Sequence, residues 1–69
     1  MPLSFAQVGE VRRIQAVHGA PKMKQHLANL GFVAGADVTV INEVAGNLIV
    51  RVKEARIAIS RSAANRIMV

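Results

Sequence analysis

The 69-residue chain has no cysteine, no tryptophan, no tyrosine and only two phenylalanines. Without cysteine there is no disulfide framework and no thiolate metal site, so neither staple common in very small folds is available. No oxidising compartment is required, and a cytoplasmic location is the expectation. No stretch approaches the roughly 20 apolar residues of a spanning helix. The first residues also lack the basic start and apolar run of a secretory leader. Acidic residues are scarce: Glu10, Asp37, Glu43 and Glu54 are the whole set. No two of them share a helical or adjacent-strand spacing that would set up a general acid and base. Ser4, Ser60 and Ser62 have no accompanying His and carboxylate constellation. No glycine-rich loop ends in Lys-Ser or Lys-Thr to cradle a nucleotide phosphate. These absences describe a protein that is not an enzyme, holds no cofactor and turns over no small-molecule substrate.

What the chain does have is Ala, Val and Ile, which make up most of a 52% hydrophobic content with 3% aromatics. That mixture suits close-packed strands in a small barrel. A chain of this length forms one domain, residues 1–69, burying only about 60% of the surface its unfolded form exposes. The net charge of +5 draws it toward nucleic acid, anionic lipid or an acidic protein face. The same charge also serves solubility alone.

The most informative segment is Leu30-Gly31-Phe32-Val33-Ala34-Gly35-Ala36-Asp37, a helix stop joined to a strand start. Gly31 can take the left-handed conformation that closes a helix, which places Phe32 against Leu27 in a Schellman cap. Gly35 supplies a second positive φ, so Val33 to Ala36 reads as a type II turn. Ahead of it, Pro21 suits the first turn of a helix whose stripe is Met23, Leu27 and Leu30.

Nearer the start, residues 4–9 read as one capped turn with Phe5 and Val8 directed inward, and Glu10 to His18 as a first strand bent around Arg12-Arg13. After the turn come strands over Asp37–Ala45, Asn47–Lys53 and Arg56–Ile59. In the first of these, Val38, Val40, Asn42 and Val44 share a face. Hairpin turns are expected at Gly46-Asn47 and Glu54-Ala55. Ser60 caps a final helical turn, and Ile67-Met68-Val69 returns as a last strand. The expected fold is mainly β with short helices: a small barrel of about five strands with one helix inserted after the first strand.

Several residues invite a functional reading. His18 and His26 are the only imidazoles and the only candidate metal ligands, but no further acidic or sulfur donor lies near them in sequence, which favours two solvent-facing side chains. Lys22 and Lys24 sit in the first helical turn, where cations oppose the macrodipole, so an anionic partner surface would offset them. A barrel this small cannot enclose Met23, Leu30, Phe32 and Val33 along with every strand residue. Part of that ridge is therefore expected to remain exposed as a docking patch, for another protein or for a second copy of the chain. Nucleic-acid binding is the rival use of the positive charge. Against it, Phe5 and Phe32 are the only aromatics and both have expected core duties, which leaves no stacking platform.

The order of these elements and the segment from Lys24 to Val40 resemble the FeoA family of cytoplasmic ferrous-iron transport accessory proteins. The resemblance covers essentially the whole chain. Leu3 and Gly9 fit the family's opening, Leu27 with Leu30-Gly31 its leucine and leucine-glycine signature, and Gly35 its turn glycine. Arg56-Ile57-Ala58-Ile59-Ser60, Ile67 and Val69 fit its ending. Two positions depart from the pattern: Ala34 stands where proline is usual, and no glycine occupies the last hairpin near Glu54-Ala55. The resemblance implies an SH3-like barrel, similar to the one that ends iron-dependent repressors. It also implies a partner, a membrane ferrous-iron transporter (FeoB-like) with a cytoplasmic GTP-binding domain, which would hold the protein at the inner face of the membrane. On that reading Lys22, Lys24, Leu30, Phe32 and Val33 make the contact, and Gly31 and Gly35 hold their backbone. The alternative is a small basic barrel that binds nucleic acid or acts as a regulatory module.

Overall fold

The computed structural model describes residues 1–69. A 3-10 turn at Leu3–Phe5 is followed by β1 (Val11–Arg13), β2 (Ala16–Val17), α1 (Pro21–Leu30), β3 (Asp37–Val44), β4 (Asn47–Val52), β5 (Ala55–Ser60), α2 (Arg61–Ala64) and β6 (Ile67–Met68). An antiparallel sheet has the order β1-β3-β4-β5, and β2 pairs with β6 in a second, two-stranded sheet. One hydrophobic core joins both, with Leu3, Ile14, Leu27, Phe32, Val38, Val50, Val52 and Ile67 among its members.

The expected first strand is two strands. The chain breaks at Ile14-Gln15, not at Arg12-Arg13, and changes sheets there. Ile14 is the pivot. Its side chain is buried, its N–H donates to the Ala36 carbonyl and its carbonyl accepts from Gly35, while Gln15 N–H turns to Met68. The spacing of three between Val11, Ile14 and Val17 thus marks a corner where one strand leaves one sheet for another. The inserted helix consequently follows the second strand.

The helix end behaves as its sequence dictates. Gly31 has φ +109°, its N–H donates to Ala28, and Phe32 N–H donates to Leu27, which is the Schellman pattern. Ala36 N–H donates to Val33 and Gly35 has φ +91°, closing the type II turn that feeds β3. At the other end Ser60 caps α2 by accepting a hydrogen bond from Ala63 N–H.

Three details of the strands differ from expectation. A bulge at Ile41 shifts the β3–β4 register between Val40 and Asn42, so Val44 turns out to solvent. Glu43 takes its place opposite Leu48 and pairs with Arg61 of α2. Each hairpin turn lies one residue earlier than expected. Ala45-Gly46 and Lys53-Glu54 both have positive φ at their two central residues, the type I′ geometry that matches strand twist. Phe5 and Val8 do not point inward: the 3-10 turn buries Leu3 instead, leaving Phe5 70% and Val8 63% exposed.

The first and last residues are joined. Val69 N–H donates to the Met1 carbonyl, and Pro2 bridges to Met68.

Candidate docking face

α1 presents two unlike sides. Leu27 is fully buried, while Met23 and Leu30, at spacings of four and three around it, are only half-buried. Between this side of the helix and β5 with α2 lies a cleft of about 220 Å³ whose walls include Met23, Leu27, Leu30, Ala58, Ile59 and Ala63. A shallower hollow of about 420 Å³ continues it past His26 and Lys22 to Ala20, at the start of the helix. Val33, beyond the helix end, is also half-buried.

The structure does not gather all five expected contact residues on one surface. Lys22 and Leu30 share the Met23 side. Lys24 is two residues from Lys22, roughly 200° around the helix. It lines a separate open cleft of about 670 Å³ with Gln15, Ala16 and Ala34. Phe32 is 1% exposed and supports the ridge from beneath as part of the core. The N-cap residue Ala20 offers no side-chain oxygen, and no acidic residue lies in the first turn. The free N–H groups and both lysines therefore make this helix start electropositive.

His18 and His26 are both exposed, and no three His, Asp or Glu side chains converge anywhere in the chain.

Charge is unevenly spent. Glu10 lies 3.0 Å from Arg12, Asp37 3.8 Å from Arg13, and Glu43 pairs with Arg61. Lys22, Lys24, Arg51, Lys53, Arg56 and Arg66 have no carboxylate within ion-pair distance, and Glu54 is the one unpaired acid. Arg51 and Arg56 stand directly opposite each other on β4 and β5, an arrangement that costs stability unless something anionic offsets it.

Sequence reasoning missed a second apolar surface. Phe5, Val8 and Val11 are each more than 60% exposed, whereas no large apolar side chain of α1 is fully exposed. Phe5 and Val8, apolar and three residues apart in a capped turn, read as inward-facing, and Val11 as part of a first strand. Only the sheet pairing, which gives Val11 to the outer face opposite Thr39, reveals otherwise. The exposure of Phe5 also removes one argument against nucleic acid, since that ring is not used in the core. A single ring still falls short of the succession of stacking surfaces on which single strands are bound.

The sequence profile of the FeoA domain matches residues 1–69, the whole length of the chain. The chain belongs to the FeoA family. A candidate Fe(2+) transport protein A of Methanocaldococcus jannaschii is 39% identical over 71 residues, covering 99% of this chain and 83% of that one. The crystal structure of an iron uptake regulatory protein (FeoA) superposes with a TM-score of 0.90 at 28% identity, covering 99% of this chain and 92% of its own. The FeoA of Stenotrophomonas maltophilia, solved with zinc, superposes with a TM-score of 0.86 at 27% identity, covering 99% of this chain and 87% of that one. It is described as a procaryotic SH3 domain protein proposed as a bacterial ferrous-iron transport activating factor. The barrel of this FeoA domain is therefore SH3-like, and its family is one of ferrous-iron transport accessory proteins, not enzymes. No helix of the chain is long and apolar enough to cross a membrane.

Proposed function

We propose that this FeoA domain is a cytoplasmic adaptor that docks on a membrane ferrous-iron transporter carrying a GTP-binding domain, FeoB-like in kind, and biases its conformation or assembly. The α1 ridge supports this reading: Met23 and Leu30 stand half-exposed beside an apolar cleft, the unpaired Lys22 borders the adjoining hollow with Met23, and Val33, also half-buried, follows the helix end. Apolar side chains rimmed by charge are the usual composition of a protein contact. Gly31 and Gly35 fix the backbone of that ridge through the Schellman cap and the type II turn, and Phe32 anchors it to the core. Lys24, on the opposite side of the helix, adds long-range attraction to an acidic partner. Biasing requires the adaptor to bind two states of the transporter with different affinities, which nucleotide dependence would reveal.

The test is co-purification of the transporter from detergent-solubilised membranes on the immobilised domain, with and without GTP. Retention that differs between the two conditions, and that is lost in Leu30→Glu with an intact fold, is the expected result. Failure to retain the transporter in either condition would refute the adaptor role.

A further inference from the structure

β5 is the outer strand of the four-stranded sheet, and only one of its edges is occupied. The two-residue turn at Lys53-Glu54 sets the hydrogen-bonding phase. Val52 and Ala55 flank it as a bonded pair, followed by Val50 with Ile57 and Leu48 with Ile59. Arg56 and Ala58 fall at the alternate positions, so their N–H and C=O groups point away from β4. No turn or loop backbone group bonds them, and both residues are exposed. Proteins usually blunt such an edge with proline, a bulge or clustered charge. β5 has no proline, keeps an unbroken register with β4 along all six residues, and carries one charge, at Arg56.

A strand added to this edge would have two unlike faces. Residues beside Ile57 and Ile59 would turn inward to the cleft walled by Met23, Leu30 and Ala63. Those in between would lie on the outer face beside Arg56 and Arg51. These two arginines share a surface hollow with Glu54, and neither is ion-paired. We propose that the β5 edge accepts, by strand addition, an extended segment of a protein partner in which apolar residues alternate with acidic ones. Charge selects this occupant over a second copy of the chain, which would bring one net charge of +5 against another along a row that already sets Arg51 opposite Arg56. Main-chain bonds supply affinity in such complexes, and the alternate side chains supply specificity. The inference stands apart from the transporter reading, because it concerns what the edge binds and not which protein presents it.

The test uses the 15N-labelled domain and a blocked seven-residue peptide that alternates valine with glutamate. The amide signals of Arg56 and Ala58 are expected to shift and their hydrogen exchange to slow, with binding that weakens as salt is added. The matching valine–lysine peptide is expected to leave them unchanged. Ala58→Pro removes a donor that β4 does not use, so it should keep the sheet and bind the acidic peptide about tenfold more weakly. Arg56→Glu, an independent variant on the solvent face, should transfer the preference to the lysine peptide. Unmoved Arg56 and Ala58 amides at saturating acidic peptide, or equal binding of the lysine peptide, would overturn the proposal. Protection of these amides that rises with protein concentration alone would overturn it in favour of self-association.

Discussion

Lys53 lays its aliphatic stem over Gly31, so that a methyl group at position 31 would stand 3.5 Å from Lys53 Cδ and 3.7 Å from Val52 Cγ1. Both are ordinary contact distances, so Gly31→Ala meets no clash. Its cost is conformational, because φ there is +109°. We expect a destabilisation of about 1–2 kcal/mol, the penalty of left-handed backbone for a residue with a Cβ. In urea unfolding the midpoint should fall at unchanged slope.

Lys53 and Glu54 hold φ of +50° and +67°, both in the left-handed region and both without the glycine that such a turn favours. Glu54→Gly should relieve one of these and stabilise by about 1 kcal/mol. For a chain of this size that is a rise in Tm of about 4–8 °C, readable by calorimetry.

Ala34 occupies the second position of the type II turn between Val33 and Ala36, and its N–H makes no backbone hydrogen bond. Proline is favoured there and costs no donor. Ala34→Pro should stabilise by about 0.4–1 kcal/mol, chiefly by restricting the unfolded chain. A loss of stability on chemical denaturation would show that Val33 cannot adopt the extended backbone that proline demands of its predecessor.

Phe5 and Leu30 separate the two exposed apolar surfaces. Phe5→Ser, at a side chain 70% in solvent, should change folding stability by no more than about 0.5 kcal/mol. Measured beside Leu30→Glu in the same transporter co-purification, it should retain binding where the helix variant loses it. The opposite pattern would move the contact to the 3-10 turn.

Much of this fold can be read from residues whose demands are local. Gly31, Gly35, Pro21 and Ser60 each act on the backbone within a few positions, and each produced the cap or turn its chemistry requires. What could not be read depends on distant pairing. The Ile41 bulge shows only in the pairing with β4, which sets Glu43 opposite Leu48 and within reach of Arg61, in the place that alternation gives to Val44. The corner at Ile14 exists because Met68, far along the chain, captures Gln15. The lysines show the same limit on the docking face. Two residues apart on a helix, Lys22 and Lys24 already lie on opposite sides, but only the fold shows that Lys24 faces β2 while Lys22 borders the hollow beside Met23.

The backbone bond between Val69 and Met1 makes the barrel a nearly closed ring of polypeptide. A short linker could join those ends and new ones could be cut at the exposed Ala45-Gly46 hairpin, giving a circularly permuted protein with the same core. The same proximity suits the unit to insertion in a surface loop of a larger host, which would need to widen that loop by no more than the spacing of two neighbouring strands, about 5 Å.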